Sequence, residues 1–258
     1  MLSLIALALL QGISEFLPIS SSGHLVLGKA ILGISTSGAT IEIFLHVGTL
    51  MAIIVFYRKK IFAILSSLFS FDFRSPDGII IPHIICASLP AGIVGILFGE
   101  KLELLFSKPI FSAIMLIITS FILFSTFLSR RRHDFEWSFY NSFLVGLAQA
   151  IAILPGISRS GTTIAAAMWL GAEPEDAAEF SFIMAIPAIL GAAIIKTKEL
   201  IVNHIRPESS LWLAIIIAAV VGYAALLVLI PIIKRGKLWT FGIYCMILGM
   251  VGLLLLSV

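Results

Sequence analysis

The stretch Gln11–Gly28, QGISEFLPISSSGHLVLG, decides how this chain folds and where its chemistry lies. It belongs to a run apolar enough to enter a membrane, yet it carries Gln11, Glu15, a serine run and His24, and Pro18 interrupts it. An ionisable side chain near the centre of a bilayer costs about 2.5–3.5 kcal/mol even on the lenient insertion scale. Such residues usually face protein or a water-filled cavity, and they usually serve a function. The stretch therefore predicts half of a functional site that is buried in a membrane.

The composition of the whole chain is that of a membrane protein. Of its 258 residues, 60% are hydrophobic and 12% are charged, whereas a soluble domain averages about 25% charged residues. The net charge of +3 does not indicate nucleic-acid binding, because the basic residues form short clusters between apolar runs. Both cysteines lie inside apolar segments, so neither a disulfide framework nor a cysteine metal site is predicted. The sequence predicts a single all-α, polytopic membrane domain over residues 1–258, with no nucleic-acid partner.

Six segments are long and apolar enough to cross roughly 30 Å of hydrocarbon as helices. The predicted spans are Ile41–Tyr57, Ile79–Gly99, Pro109–Leu128, Ala178–Ile195, Leu211–Ile233 and Trp239–Leu256. Two further regions, Leu2–Leu32 and Phe139–Leu170, are apolar but broken by proline, glycine and serine. Each divides into halves of roughly a dozen residues, too short to cross alone. We expect each to form a re-entrant hairpin that enters the membrane and returns to the same side.

Three basic clusters test this topology. They begin at Arg58, Arg130 and Lys234, and the excess of Lys and Arg in cytoplasmic loops places all three in the cytoplasm. The clusters share one side only if the region Phe139–Leu170 crosses an even number of times, which a hairpin does and one long span would not. Counting back along the chain, both termini lie outside, and the first hairpin enters the membrane from outside.

The two broken regions align when the sequence is shifted by 138 residues. The matched residues are Gln11 with Gln149, Ile13 with Ile151, Ile19-Ser20 with Ile157-Ser158, and Ser22-Gly23 with Ser160-Gly161. Each half, approximately 1–128 and 139–258, then holds one hairpin and three spans, and an odd number of crossings gives the halves opposite orientations. Chance similarity between two serine- and glycine-rich breaks is the competing explanation, and the matched order of elements argues against it. The sequence predicts an inverted repeat whose broken tips meet near the membrane midplane.

The first tip combines possible metal and anion ligands. Gln11 and Glu15 are four residues apart and share one helix face, so they are candidate ligands for a divalent cation, Mg²⁺ or Ca²⁺. Mg²⁺ is often bound by one or two carboxylates together with substrate phosphates. After the break, the serines can cap a new helix, whose N-terminus suits a phosphate group. The candidate substrate-binding residues at this tip are Ser20, Ser22 and Gly23.

The second tip, LPGISRSGTT (Leu154–Thr163), has the same design. Ser158 can cap the half-helix that follows, and Arg159 lies at the opening of that helix. At membrane depth the guanidinium needs an anion, and a bidentate phosphate contact fits its geometry. The candidate substrate-binding residues at this tip are Ser158, Ser160, Gly161 and Thr162.

The two tips together hold the groups that phosphoryl transfer requires, which are anion clamps, a nucleophile or base, and an acid for the leaving oxygen. The candidate catalytic residues are Glu15, Ser21, His24 and Arg159. Ser21 or His24 attacks the phosphorus or activates the attack, and the sequence leaves open whether a covalent intermediate forms or water attacks directly. The serines and His24 also have a structural interpretation in helix packing. His46, Glu42 and Glu179 are interpreted as structural.

Three motifs resemble one family over nearly the whole chain. They are QGISEFLPISSSGH (Gln11–His24), LPGISRSGTT (Leu154–Thr163) and EFSFIMAIPAILGA (Glu179–Ala192). They are similar to the undecaprenyl-diphosphate phosphatases of the bacitracin-resistance type. The resemblance implies an enzyme of the bacterial inner (cytoplasmic) membrane that removes the terminal phosphate from undecaprenyl diphosphate and so recycles the lipid carrier of cell-wall precursors. It also implies an inverted repeat with two re-entrant hairpins and a requirement for divalent cations.

The resemblance also assigns roles to individual residues. By position, the family's metal motif corresponds to Gln11 and Glu15, its serine run to Ser20–Ser22, its histidine to His24 and its arginine to Arg159. The first of these positions is Gln where some members have Glu, which weakens the case for two carboxylate ligands. We expect the site to open to the extracytoplasmic side.

A lipid transporter is the competing class of function. Inverted repeats with broken helices at the midplane are a common transporter design, so a prenyl-phosphate flippase, with or without hydrolysis, is the alternative. The candidate nucleophile and base favour the enzyme. The oligomeric state is not readable from the sequence, and a homodimer stays open.

Overall fold

The computed structural model describes residues 2–32, 39–129, 135–202 and 209–256. Within these ranges the chain is helical and contains no strand, which confirms the all-α prediction. The helices are α1 Leu2–Phe16, α2 Ser21–Leu32, α3 Ala39–Phe56, α4 Arg58–Phe69, α5 Ile80–Phe106, α6 Pro109–Ser125, α7 Phe139–Ile151, α8 Arg159–Leu170, α9 Pro174–Val202, α10 Ser210–Lys234 and α11 Thr240–Leu256. A 3₁₀ turn, Thr126–Leu128, follows α6. The basic cluster that begins at Arg130 lies outside the described residues.

Several of these helices can cross a membrane. By length and composition, α5, α9, α10 and the stretch Pro109–Leu128 qualify alone, and α3 with α4 makes a fifth span if the pair is counted as one bent helix. These two helices meet at 86°, at the point where the cluster Arg58-Lys59-Lys60 ends the apolar run. Helix α11 has 17 residues and falls among the shorter apolar helices. The chain is therefore a polytopic membrane protein with four or five spans by these criteria, and each of the six predicted spans coincides with a helix.

Two helices extend beyond the predicted spans. Helix α9 continues past Ile195 to Val202, and α5 continues past Gly99 to Phe106. In α9 the added turn carries Lys196 and Glu199, whose side chains pair at 2.6 Å. Hydropathy marks where hydrocarbon ends, but a helix can continue into a polar layer where pairs at i and i+3 support it.

Both broken regions form pairs of helices. Residues 17–20 separate α1 from α2, and residues 152–158 separate α7 from α8. The backbone reverses at Ser20, where φ is +67°, and at Gly156, where φ is +100°. A Cβ atom on Gly156 would lie 2.3 Å from the Ser112 carbonyl oxygen, so this second turn requires glycine for both space and backbone conformation.

The helices pack in a reciprocal pattern. Helix α1 packs against α10, and α7 packs against α5; α3 packs against α10, and α9 packs against α5. In the order of the predicted repeat, α1 corresponds to α7, α3 to α9, and α5 to α10. The contact of α1 with α10 then matches that of α7 with α5, and the contact of α3 with α10 matches that of α9 with α5. The helices α3 and α9 also contact each other, as do α6 and α11. Phe16 and Phe182, from the two halves, are fully buried and meet edge to face with ring centroids 5.7 Å apart. The core thus lies where the halves meet.

Candidate active site

Glu15 is the centre of a buried hydrogen-bond cluster that joins the two broken regions. Its Oε2 atom accepts hydrogen bonds from Ser21 Oγ at 2.6 Å and from Gln11 Nε2 at 3.0 Å. Its Oε1 atom accepts from Arg159 Nη2 at 2.5 Å. Only 6% of Glu15 is exposed, and a buried charge is tolerated when paired and hydrogen-bonded. The structure therefore brings together the predicted catalytic residues Glu15, Ser21 and Arg159, with Gln11 beside them.

Helix geometry explains why these side chains converge. Gln11 and Glu15 lie one turn apart on α1, just before its end. Ser21 is the first residue of α2, and Arg159 is the first residue of α8. The first N–H groups of a helix lack intrahelical partners and carry a partial positive charge. Two helix N-termini therefore lie within side-chain reach of Glu15, and this arrangement suits a bound anion.

The two N-termini are capped in the same way. Ser20 Oγ accepts from the backbone N–H of Gly23 at 3.1 Å, and Ser158 Oγ accepts from the backbone N–H of Gly161 at 3.1 Å. Each cap lies three residues before the N–H that it satisfies, as in a serine N-cap. The cap predicted at Ser158 is confirmed, and Ser20 is the residue of the first serine run that caps α2.

The two tips also touch each other. Ser22 Oγ accepts from the backbone N–H of Gly156 at 3.3 Å. A Cβ atom on Gly23 would lie 3.1 Å from the Cα atom of Gly156, and one on Gly161 would lie 3.1 Å from Pro18 Cβ. Under the shift of 138 residues, Pro18 corresponds to Gly156 and Gly23 to Gly161, so these two contacts are counterparts. The predicted meeting of the tips is present in the structure.

Each tip is held by the last helix of the opposite half. Thr119 of α6 donates its hydroxyl to the Gly156 carbonyl oxygen at 2.9 Å and accepts from the Ser158 N–H at 3.1 Å. Cys245 of α11 places its thiol 3.7 Å from the Pro18 carbonyl oxygen. The fold therefore supports the tips from outside the hairpins as well as through their mutual contact.

His24 lies in a different environment from Glu15. Its Nδ1 atom is 2.7 Å from the Ser20 carbonyl oxygen, and its Nε2 atom is 2.7 Å from the hydroxyl of Tyr244 on α11. The His24 and Tyr244 rings are parallel, with centroids 5.6 Å apart. Among the described residues these two are the hydrogen-bond partners of the His24 ring. The structure does not bring the predicted catalytic His24 into hydrogen-bond contact with Glu15 or Arg159.

Several buried polar atoms near the tips have no hydrogen-bond partner among the described residues. They are Gln11 Oε1, Arg159 Nη1, Thr162 Oγ1 and both amide atoms of Gln149. Buried polar groups are nearly always paired with protein, water or ligand. The guanidinium of Arg159 and the hydroxyl of Thr162 can each donate to an anion, as their predicted substrate-binding role requires. The predicted substrate ligand Ser160 is buried, with its Oγ atom 3.3 Å from Ser158 Oγ.

The structure adds His46 and Tyr244 to the site, and the sequence reasoning missed both. His46 Nε2 lies 3.3 Å from Glu15 Oε2, although His46 was interpreted as structural. The signal was its position inside an apolar span, where an ionisable residue is a functional candidate by default.

Glu42 pairs with Lys29 at 2.6 Å and so joins α3 to α2, which agrees with its interpretation as structural.

The residues around Glu15 fit a divalent cation only in part. Among the described residues, no group of three or more His, Cys, Asp and Glu could hold a metal ion. The cluster supplies the Glu15 carboxylate and the unpaired Gln11 Oε1 atom. Since Mg²⁺ can be bound by one or two carboxylates together with substrate phosphates, these two groups fit a cation that arrives with a phosphate-bearing substrate.

The chain matches known proteins over nearly its full length. Residues 4–251 match the family model described as bacitracin resistance protein BacA. A protein named undecaprenyl-diphosphatase from Halothermothrix orenii is 38% identical over 260 residues, which cover 98% of this chain and 97% of that protein. Another of that name from Bacteroides fragilis is 39% identical over 251 residues, covering 95% of this chain and 94% of that protein. A third, from Methanosphaera stadtmanae, is 38% identical over 275 residues, with coverages of 98% and 97%.

Proposed function

This chain belongs to the family of the bacitracin resistance protein BacA, and we propose that it hydrolyses undecaprenyl diphosphate to undecaprenyl phosphate and inorganic phosphate. The reaction recycles the lipid carrier of cell-wall precursors. The names of the relatives suggest the substrate. The observation that carries the chemistry is the buried cluster in which Glu15 of one hairpin holds both Ser21 and Arg159.

The proposed topology has six crossings and two re-entrant hairpins, arranged as an inverted repeat with halves of approximately 1–128 and 139–258. The two broken helix pairs and the reciprocal packing of α1 on α10 and α7 on α5 support it. The 17 residues of α11 reach the lower limit for a crossing. The protein then lies in the bacterial inner membrane, and its site opens to the extracytoplasmic side, from which the first hairpin enters.

The substrate diphosphate binds where the N-termini of α2 and α8 meet. Arg159 exchanges its contact with Glu15 for the phosphate oxygens, and its second nitrogen, unpaired among the described residues, provides the other half of a bidentate contact. Thr162 and the first N–H groups of both helices add further donors. Gln11 and Glu15 would hold a divalent cation, Mg²⁺ or Ca²⁺, which neutralises phosphate charge when bound.

Ser21 is the nucleophile that the geometry supports best. Its hydroxyl is 2.6 Å from the Glu15 carboxylate, which can take the proton as the oxygen attacks the terminal phosphorus. A Ser21 Oγ–P bond forms, the bond to the bridging oxygen breaks, and undecaprenyl phosphate leaves. Water then attacks the phosphoserine and releases inorganic phosphate. His24 is the weaker candidate for attack, because Ser20 and Tyr244 already engage both ring nitrogens; its proposed role is to hold the serine run in place.

A flippase is the second candidate function, and the reciprocal packing of the halves is the observation that favours it. Purified protein in detergent, given a prenyl diphosphate, separates the two. We expect inorganic phosphate to be released with Mg²⁺ or Ca²⁺, to fall with chelator, and to be lost in Glu15→Gln. Absence of phosphate release under every cation condition, together with movement of the lipid between leaflets in vesicles, would reverse the assignment.

A further inference from the structure

His46 belongs to neither hairpin, yet it reaches the centre of the site. It lies on α3, where its Nδ1 atom is 2.7 Å from the carbonyl oxygen of Glu42 and its Nε2 atom is 3.3 Å from Glu15 Oε2. The first contact joins residues four apart on one helix and fixes the plane of the ring. The second joins α3 to α1. The ring is therefore oriented by its own helix and directed at the carboxylate.

Both ring nitrogens face oxygen atoms that only accept hydrogen bonds. The Glu42 carbonyl oxygen at Nδ1 and the Glu15 carboxylate at Nε2 therefore hold the ring from both ends.

The oxygen that His46 contacts is the one that faces the nucleophile. Glu15 Oε2 accepts from Ser21 and Gln11 and lies 3.3 Å from His46 Nε2, whereas Oε1 accepts from Arg159. When Arg159 turns to the substrate phosphates, Oε1 loses that donor. Gln11 lies on the same helix as Glu15, so it cannot fix the carboxylate relative to the rest of the fold. Besides the nucleophile Ser21 itself, His46 is the described residue of another helix that contacts Oε2.

We propose that His46 is a positioning residue, which keeps Glu15 Oε2 directed at Ser21 while Arg159 binds substrate. This inference rests on the proposed phosphatase activity and adds a residue to it. His46 acts through Glu15 and touches neither the nucleophile nor the substrate. Its loss should therefore slow the chemical step and leave substrate binding nearly intact.

Three variants of the purified protein test this role. His46→Leu removes both ring nitrogens, whereas His46→Gln keeps an amide N–H that can reach Glu15. The control is His83→Leu on α5, because His83 is likewise a histidine on an apolar helix with a hydrogen-bonded ring, its Nδ1 atom 3.1 Å from Ser142 Oγ. The measurements are kcat and KM for phosphate release from a prenyl diphosphate, and the melting temperature in the same detergent.

We expect His46→Leu to lower kcat by about 10- to 100-fold with KM changed by less than about threefold, since misplacing a catalytic group by about 1 Å costs rate. His46→Gln should recover most of that loss, and His83→Leu should keep the wild-type kcat whatever it does to melting. A wild-type kcat in His46→Leu overturns the inference and leaves the phosphatase assignment standing. The inference is also overturned if His46→Gln is as slow as His46→Leu, or if His46→Leu raises KM at constant kcat. A wild-type protein that releases no phosphate overturns both.

Discussion

The two hairpins share a backbone design but carry different chemistry. Both have a helix that ends at a break and a serine cap with the same 3.1 Å hydrogen bond, and in both the first residue of the next helix contacts Glu15. The side chains at matched positions differ. Under the shift of 138 residues, Glu15 corresponds to Ile153, Ser21 to Arg159, and His24 to Thr162. The matched backbones thus place different side chains at the contact between the tips, a carboxylate from one and a guanidinium from the other.

Electrostatics explains why the halves had to diverge. Two carboxylates in a buried site repel each other strongly. One carboxylate and one guanidinium instead pair across the interface at 2.5 Å. The ion pair stabilises both buried charges. A symmetric backbone with asymmetric side chains is therefore the arrangement that can hold both a base and an anion clamp.

The largest expected effect comes from the carboxylate. Glu15→Gln keeps the size of the side chain but cannot accept the Ser21 proton, so kcat should fall by about 10²- to 10⁴-fold. Ile153→Ala, at the matched position of the second hairpin, should stay within about tenfold of wild type, because it changes packing but no reacting group. Phosphate release by both variants in one detergent checks this. Equal losses in the two variants would contradict the division of roles.

The second-largest expected effect comes from the guanidinium of Arg159. Arg159→Lys keeps the charge but loses the planar fork of donors, so substrate binding should weaken by about 10- to 100-fold, as expected from the loss of a hydrogen bond to a charged group. The effect should appear mainly in KM, in contrast with Glu15→Gln, in which it appears in kcat. Steady-state kinetics on a prenyl diphosphate distinguish the two. A lysine variant with wild-type KM would show that Arg159 contributes only its charge.

Close contact between the tips predicts a smaller effect that is shared by both halves. Gly23→Ala and Gly161→Ala each place a methyl group about 3.1 Å from the opposite tip, so each should cost about 1–3 kcal/mol of stability. Gly191→Ala is the control, since nothing lies within 4 Å of its added Cβ atom. Melting temperatures in detergent report the result. Loss of stability in only one of the first two variants would mean that the tip contacts are not equivalent.

The smallest effect distinguishes the two caps. Ser20 has a φ of +67°, where glycine is favoured, whereas Ser158 has a φ of −75°. A serine cap replaced by glycine loses only a few tenths of a kcal/mol, and relief of a positive φ returns about 1 kcal/mol. Ser20→Gly should therefore melt at or above the wild-type temperature, and Ser158→Gly should melt below it. The reverse order would argue against the positive φ at Ser20.

Much of the site could be predicted from the sequence because its signals are local. Proline, glycine and serine mark the breaks, a spacing of four places Gln11 beside Glu15, and a charge at membrane depth requires a partner. From this reasoning we expected the two tips to assemble one site, and the structure pairs Glu15 with Arg159 across them. The contacts of His46 and Tyr244 could not be predicted in this way, since they depend on how α3 and α11 approach the hairpins. That approach is a property of tertiary packing and leaves no local pattern.

The number of six crossings stays a prediction, because helix length and composition give four or five spans among the described residues. Hydropathy identified every apolar segment, but not the 86° turn between α3 and α4 or the short α11. Length alone does not decide whether such helices cross a membrane. Helix α11 has 17 residues, at the lower limit for a crossing, and α3 is followed by a bend at a basic cluster.

A double-mutant cycle on Glu15 and Arg159 tests most directly that the two hairpins form one catalytic unit. The measurement is kcat/KM for phosphate release by wild type, Glu15→Gln, Arg159→Gln and the double variant. Residues that act as a unit are strongly non-additive. Because Glu15 and Arg159 are in contact, we predict that the loss in the double variant is smaller than the product of the two single losses, by about 2- to 100-fold. Losses that multiply, with the double variant slower by the product of the two single effects, would contradict a shared site.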